Sequence, residues 1–159
     1  MISQNFCALL EEHAALTCAE FLDRVHAQLP RLYSGALLLP EGDWHAADCE
    51  GHHSKRSLTL GLREKLGDAD LYLEIFDPYG RTVESPVIGS LSDDIEDIYA
   101  ELVSGLHCWE AGNQGGALWS WKFGFRWHWG EHVTGALRAL HSRAFRHDMD
   151  VRSIDTREA

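Results

Sequence analysis

The sequence predicts an all-α fold: a single-domain bundle of five to six helices with a long central C-terminal helix. Through most of the chain, apolar residues recur at spacings of three and four, which is the period of an amphipathic helix. No segment shows the apolar and polar alternation with period two that is typical of a half-buried strand. The chain has 159 residues, 45% of them hydrophobic, which suffices for one domain with its own core. We expect that domain to span residues 1–145 and a polar C-terminal tail to follow at 146–159.

Local signals mark the helices of the first half. Thr17 with Glu20 three residues later matches a capping box, so two helices are expected to meet there. Pro30 lies inside the second helical pattern and is expected to kink or split that helix. Further short helices are expected on both sides of Gly67, the second of them capped by Asp68.

The second half of the chain is predicted to contain the clearest helix and a long helix after it. Ser90 begins the clearest one, with Asp93 as its capping partner, and the segment 81–89 before it is expected to be an extended connector. Asn113 is expected to cap the next helix, which continues to about Phe145. That last helix has apolar residues on two faces, so we expect other helices to cover it on most sides.

The charge of the chain restricts the classes of partner. With 14 Lys and Arg against 25 Asp and Glu, the formal net charge is −11. Such a chain repels the phosphates of nucleic acids and the surfaces of anionic membranes, so neither is expected as a partner. A basic protein or a metal ion would be attracted instead.

The cysteines and the N-terminus indicate a cellular compartment. Cys7, Cys18, Cys49 and Cys108 are far apart and form no C-x-x-C pair, so neither a disulfide framework nor a zinc knuckle is expected. The N-terminal segment lacks the basic and apolar regions of a signal peptide, and no apolar run approaches the length of a membrane span. We therefore expect a reduced, cytoplasmic protein.

Several sequence blocks carry a resemblance to a known family. They are Leu32-Tyr33 with Leu37 to Pro40, Tyr72 to Tyr79 (YLEIFDPY), Ser90 to Tyr99 (SLSDDIEDIY), and Trp119 to His141. Over residues 16–145 the chain resembles the bacterial domain-of-unknown-function family numbered 5063. The resemblance implies a small, mainly helical bacterial protein and implies no activity. The residues that recur in the family fall here on Trp121, Phe125, His128, Trp129, Gly130, His132 and His141.

The sharpest chemical feature is the segment His128-Trp129-Gly130-Glu131-His132. Histidines four residues apart lie on one side of a helix, where they are spaced to share a metal ion. The segment also matches the H-x-x-E-H signature of one class of metalloproteases. Short matches of this kind arise often by chance. A catalytic zinc site also needs a third protein ligand, and the one glutamate after His132 is Glu158, in the predicted tail. A protease is therefore not predicted.

Carboxylates from another part of the chain could complete a site around the two histidines. The candidates are Glu74 and Asp77 near a predicted turn, and Asp93, Asp94 and Asp97 on the helix that begins at Ser90. Imidazoles with carboxylates suit zinc, manganese or iron, so a divalent metal is the candidate cofactor. Two alternatives to a metal site are open for His128 and His132. They could belong to a hydrogen-bond network that fixes the packing of two helices, or they could face solvent.

Aromatic residues are concentrated near the same histidines. Trp127 lies outside the two apolar faces of the last helix and directly follows Arg126. An exposed tryptophan beside an arginine is typical of interaction hot spots. This pair, the acidity and the lack of catalytic signatures favour a non-enzymatic, cytoplasmic helical protein-interaction module with an acidic surface and a basic protein as its partner. The alternatives are a metal- or small-ligand-binding enzyme centred on His128 and His132, and an acidic immunity-type protein that neutralises a basic toxin. No catalytic residue is predicted.

Overall fold

The computed structural model describes residues 1–46, 61–75, 79–80 and 85–155, with side chains up to residue 145. Its elements are α1 (Ile2–Glu11), α2 (Cys18–Leu37), α3 (Leu62–Leu66), β1 (Leu71–Glu74), β2 (Val87–Ser90), α4 (Leu91–Glu110), α5 (Gln114–Gly124) and α6 (Gly130–Asp155). A π-helical turn, Phe125–Trp129, joins α5 to α6, and we call this continuous stretch the rod. With the rod counted as one, the described ranges contain five helices, which confirms the predicted all-α bundle and its long C-terminal helix.

Side-chain caps begin three of the helices where the sequence predicts them. The hydroxyl of Thr17 accepts a hydrogen bond from the N–H of Glu20, whose carboxylate accepts from the Thr17 N–H at 2.9 Å, so α2 begins with a complete capping box. Ser90 caps α4 and Asn113 caps α5 through their side-chain oxygens. α2 runs on through Pro30, so the proline does not split it.

A two-stranded antiparallel sheet replaces a predicted helix. The short helix expected after residue 67 is wrong over Leu71–Glu74, because this segment is β1 and pairs with β2, the end of the predicted connector. Tyr72 lies opposite Gly89, and a Cβ on Gly89 would stand 2.7 Å from the tyrosine ring. The ring of Tyr72 therefore lies over β2 at Gly89, in the space that any other side chain at position 89 would fill. A four-residue strand is too short to show a period in the sequence.

α4 and the rod form the centre of the bundle. α4 packs against α1, α3, α5 and α6, and α2 packs against α1 and α6. The fully buried side chains with the largest volumes are Trp129, Phe6, Phe21, Leu10 and Leu29. Burying a side chain of this size stabilises the fold by roughly 1.5–3 kcal/mol relative to exposing it. α4 and α5 pack closely at Gly105, where a Cβ would lie 2.0 Å from the indole nitrogen of Trp121.

The cysteines differ in whether they are free or disulfide-bonded. Cys7 and Cys18 are free thiols, whereas Cys108 is disulfide-bonded, so the expectation of reduced cysteines throughout is wrong at Cys108. Spacing along the chain does not reveal which cysteines the fold brings together. In the part of the chain that the structure describes, no helix combines the length and the hydropathy that crossing a membrane requires.

Candidate metal centre

The predicted pair of histidines lies at the π-helical turn. His128 is inside the turn, and His132 lies in the first turn of α6. A π turn carries one residue more than an α turn, and such turns are frequent at functional sites. Gly130 permits the turn, since a Cβ there would stand 2.2 Å from the carbonyl oxygen of Phe125. The imidazole rings meet edge to face with their centroids 4.9 Å apart, so the pair shares one side of the rod.

Each imidazole of the pair contacts a carboxylate of α4. His128 Nδ1 lies 3.0 Å from Oε1 of Glu101, and His132 Nδ1 lies 2.8 Å from Oδ1 of Asp94. The second nitrogen of His132, Nε2, lies 3.5 Å from Oδ2 of Asp97. The structure therefore brings two of the predicted partners, Asp94 and Asp97, to the pair.

Asp97, His128 and His132 converge as a set of potential metal ligands. Each offers one ligand atom, and these atoms all lie within 4.8 Å of one another. The side chain of His128 is 48% exposed and that of His132 is 24% exposed. The pair therefore lies at the rim of the bundle, where solvent reaches both rings. Two imidazoles and one carboxylate at a solvent-accessible edge can bind zinc, manganese or iron.

Asp94 orients His132 and is itself held by Tyr72. The hydrogen bond accepted by Asp94 raises the pKa of His132, burial opposes this, and the charges of Asp94, Asp97 and Asp93 raise it further. The hydroxyl of Tyr72 donates to Oδ2 of Asp94 at 2.7 Å. Burial, followed by this hydrogen bond, raises the pKa of Tyr72, so the phenol remains a donor at neutral pH. Asp94 is thus hydrogen-bonded through both of its oxygens.

The predicted carboxylates near the turn, Glu74 and Asp77, are not part of the ligand set in the described residues. Glu74 is paired with Arg138, whose guanidinium also donates to the carbonyl oxygen of Leu73 at 3.1 Å. Glu74 lies two residues after Tyr72 on β1 and so on the same face of the sheet, but its carboxylate lies against the rod at Gly135, where a Cβ would stand 2.7 Å from Oε2 of Glu74. Asp77 lies outside the described residues.

Two residues of the site, Glu101 and Tyr72, were not predicted. Glu101 follows Asp97 by four residues on α4, so helical spacing is the signal that places it on the same face. Its carboxylate lies against the rod because Gly124 has no side chain: a Cβ there would stand 2.7 Å from Oε2 of Glu101. No comparable signal exists for Tyr72, since its contact with Asp94 depends on the hairpin.

The predicted interaction pair is exposed on the outer side of the rod. Trp127 is 68% exposed, and Arg126 is exposed beside it. One turn earlier, Phe123 is half exposed and stacks on Trp119 with their centroids 4.8 Å apart. We call Trp119, Phe123 and Trp127 the aromatic strip.

Relatives of the chain are found by fold and by sequence. Protein BF1032 of Bacteroides fragilis, known from a crystal structure, superposes with a TM-score of 0.75 at 24% sequence identity, over 89% of this chain and 86% of that one. At this identity, the likeness shows a common fold and nothing about activity. No curated protein matches the chain. The family model described as a domain of unknown function, DUF5063, matches residues 2–146. This chain therefore belongs to the DUF5063 family.

Proposed function

We propose that this protein is a metalloprotein that binds one divalent transition metal ion, best matched by zinc, through Asp97, His128 and His132. The observation that carries the proposal is the convergence of one carboxylate and two imidazoles whose ligand atoms lie within 4.8 Å of one another. Two histidines and a carboxylate are a ligand set of catalytic zinc sites, and iron and manganese accept it as well.

The spacing of two of the ligand atoms supports a shared ion. Zinc lies about 2.0–2.2 Å from nitrogen and oxygen ligands, so two ligand atoms of a tetrahedral site stand roughly 3.3 Å apart. His132 Nε2 and Asp97 Oδ2 are 3.5 Å apart, which is close to that separation. His128 is half exposed, so its imidazole has room to rotate toward the same ion.

The carboxylates behind the imidazoles support the same conclusion. A metal-bound histidine almost always donates its other ring N–H to a carboxylate, a carbonyl or water, which selects the tautomer and orients the ring. Glu101 lies at Nδ1 of His128, and Asp94 lies at Nδ1 of His132, so each carboxylate is placed to accept the N–H of its imidazole. Donation from Nδ1 leaves Nε2 of each ring with a lone pair for the metal.

Three protein ligands leave at least one coordination position for water or substrate. Held by Asp97, His128 and His132, zinc in such an open site would act as a Lewis acid on a bound water and would make that water a nucleophile at neutral pH. Hydrolysis is therefore the class of reaction that we propose for a metal-loaded protein. Glu101 and Asp94 would hold the imidazoles in place during that reaction.

Metal titration of the untagged protein tests this proposal. Protein stripped with EDTA should bind one equivalent of Co²⁺ with a visible absorption band, and Zn²⁺ should displace the cobalt. His132→Gln and Asp97→Asn should each weaken binding at least about tenfold. His141→Gln, at an exposed position on the same helix, is the matched control and should bind like wild type. If folded wild-type protein takes up no Co²⁺, or if His132→Gln binds it equally well, the imidazoles serve only the packing of α4 against the rod.

A second candidate function is protein interaction, which the exposure of Trp127 and Phe123 favours. Tryptophan and arginine are enriched at interaction hot spots, and the net charge of −11 selects a basic partner. A Phe123→Ser, Trp127→Ser double variant should lose a partner that the wild type captures from extracts of its own cells. Ile88→Ser, which changes an exposed residue of the hairpin, should retain it. Equal capture by the double variant would exclude the aromatic strip as the binding surface.

A further inference from the structure

We infer that the metal site selects a cationic substrate and disfavours oxyanions, because the carboxylates of α4 outnumber the charge of the bound ion. This inference rests on the proposed function, since it concerns the ligand that takes the open coordination position. The class of substrate is a small molecule with a neutral metal-binding atom and an ammonium group close to it.

The negative charge of the site comes from one face of α4. Spacings of three and four residues place Asp93, Asp94, Asp97 and Glu101 on the same side of the helix. Asp94 and Glu101 contact the imidazoles directly, and Asp97 lies 3.5 Å from His132. Asp93, directly before Asp94 on this face, is exposed.

A divalent ion does not neutralise this face. The four carboxylates carry about four negative charges at pH 7, and coordinated imidazoles are neutral, so the occupied site keeps a net charge of about −2. Three basic side chains of the rod act on other carboxylates. Arg138 is paired with Glu74 and Lys122 with Glu41, and the charge of Arg126 acts on Glu41.

The carboxylates are also exposed enough to act on an arriving ligand. The side chain of Asp97 is 42% exposed and that of Glu101 is 30% exposed. Exposed charges act over about 8–10 Å at physiological ionic strength, so the selection applies to groups near the coordinating atom. A phosphate or carboxylate group is repelled there, whereas an ammonium group is attracted to the carboxylates.

Three pyridines with the same coordinating nitrogen and different charges test this inference. 4-(Aminomethyl)pyridine carries an ammonium group, 4-methylpyridine is neutral, and pyridine-4-carboxylate is an anion. A substituent in the para position cannot reach the ion that the ring nitrogen binds, so chelation is excluded. Binding to the Co²⁺-loaded protein is followed by visible absorption at low salt. Each affinity is divided by the affinity of the same pyridine for aqueous Co²⁺, which removes differences in basicity.

We expect the normalised affinity to fall from the cation to the neutral compound to the anion, by roughly threefold per unit charge. The differences should shrink in 0.5 M NaCl. Asp93→Asn removes a charge without removing a proposed ligand, so it should reduce the differences and keep the Co²⁺ stoichiometry. Glu110→Gln, at the exposed end of α4 and about 20 Å along the helix from Asp97, should behave like wild type.

The outcomes separate the two proposals. Equal normalised affinities, tighter binding of the anion, or the full wild-type differences in Asp93→Asn would overturn the cationic-substrate inference and leave the metal site standing. Absence of Co²⁺ binding by the folded protein would remove the proposed function, and the inference with it.

Discussion

Tyr72 donates a hydrogen bond to Oδ2 of Asp94 at 2.7 Å, while Oδ1 of the same carboxylate lies 2.8 Å from Nδ1 of His132. Tyr72 of the two-stranded sheet thereby holds Asp94 of α4, and Asp94 in turn holds the imidazole of His132 on the rod. The carboxylate of Asp94 is 10% exposed, and a buried carboxylate with both oxygens hydrogen-bonded has little freedom to turn. The sheet is thus part of the support of the candidate metal centre.

Removal of the Tyr72 hydroxyl should affect both the fold and the site. Tyr72→Phe is expected to lower the free energy of unfolding by about 1–2 kcal/mol, because Asp94 loses a donor. It should also weaken Co²⁺ binding by about tenfold, because His132 loses its fixed support. Urea unfolding and metal titration measure the two effects.

The matched control for this hydroxyl is Tyr33→Phe, which preserves the ring contact between Tyr33 and Phe125 at 5.1 Å. It should leave the Co²⁺ affinity unchanged. If Tyr72→Phe reduces stability but binds Co²⁺ as tightly as wild type, Tyr72 supports the fold alone.

An alanine at Gly105 should destabilise the protein. In an exposed helix, replacing glycine by alanine stabilises by about 1 kcal/mol. Here the new Cβ would stand 2.0 Å from the indole nitrogen of Trp121, which itself donates to the carbonyl of Leu102 at 3.1 Å. We expect a loss of roughly 1–3 kcal/mol in urea unfolding. The sign is diagnostic, since a gain in stability would contradict the close approach of α4 and α5.

A double-mutant cycle with Trp121→Phe identifies the clash. Phenylalanine lacks the indole nitrogen that meets the new methyl group, so Gly105→Ala should destabilise less in the Trp121→Phe background. Equal destabilisation in both backgrounds would assign the effect to the helix backbone.

The capping box of α2 predicts a pH dependence of stability. The backbone hydrogen bond from Thr17 is the main cause that holds the pKa of Glu20 below its ordinary value of 4.5. A carboxyl group with a depressed folded-state pKa stabilises the protein above its unfolded pKa, and this contribution is lost as the pH falls through the folded pKa. At pH 7, wild type should therefore melt at a higher temperature than Glu20→Gln. The two melting temperatures should converge as the pH falls below 4.5, because the group is then protonated in the unfolded and finally in the folded state.

Thermal unfolding followed by circular dichroism from pH 3 to pH 7 checks this prediction. Glu12→Gln, at the exposed end of α1, serves as the control for loss of one negative charge. A difference between wild type and Glu20→Gln that stays constant over this range would contradict an ionised Glu20 in the capping box.

Cys7 should be chemically silent in the folded protein. Burial is the main cause, ahead of the charge of Glu11, that raises the pKa of its thiol to about 12. Because the thiolate is the reactive form, iodoacetamide at pH 8 should modify Cys7 only after unfolding. Peptide mass spectrometry measures this, with the partly exposed Cys18 as an internal reference. Equal modification rates of the two cysteines in native protein would contradict the packing of α1.

Part of the candidate site could be predicted because its geometry is local. His128 and His132 are four residues apart on one rod, and Asp94 and Asp97 are three apart on α4, so helical periodicity alone places each pair on one face. The position of Glu74 could not be predicted in the same way, because it depends on a strand pairing, and the residue lies in β1 with its carboxylate paired with Arg138.

The main helices, and the positions where three of them begin, follow from the sequence alone. The caps Thr17, Ser90 and Asn113 act on N–H groups three residues away, and amphipathic periodicity repeats within a few turns, so both are visible in short windows of sequence. The two-stranded sheet, the π-helical turn and the contacts of Asp94 depend on how the elements pack together. Tyr72 and His132 stand 22 and 38 positions from Asp94 along the chain, and contacts over such separations form only when the packing of whole elements brings the side chains together.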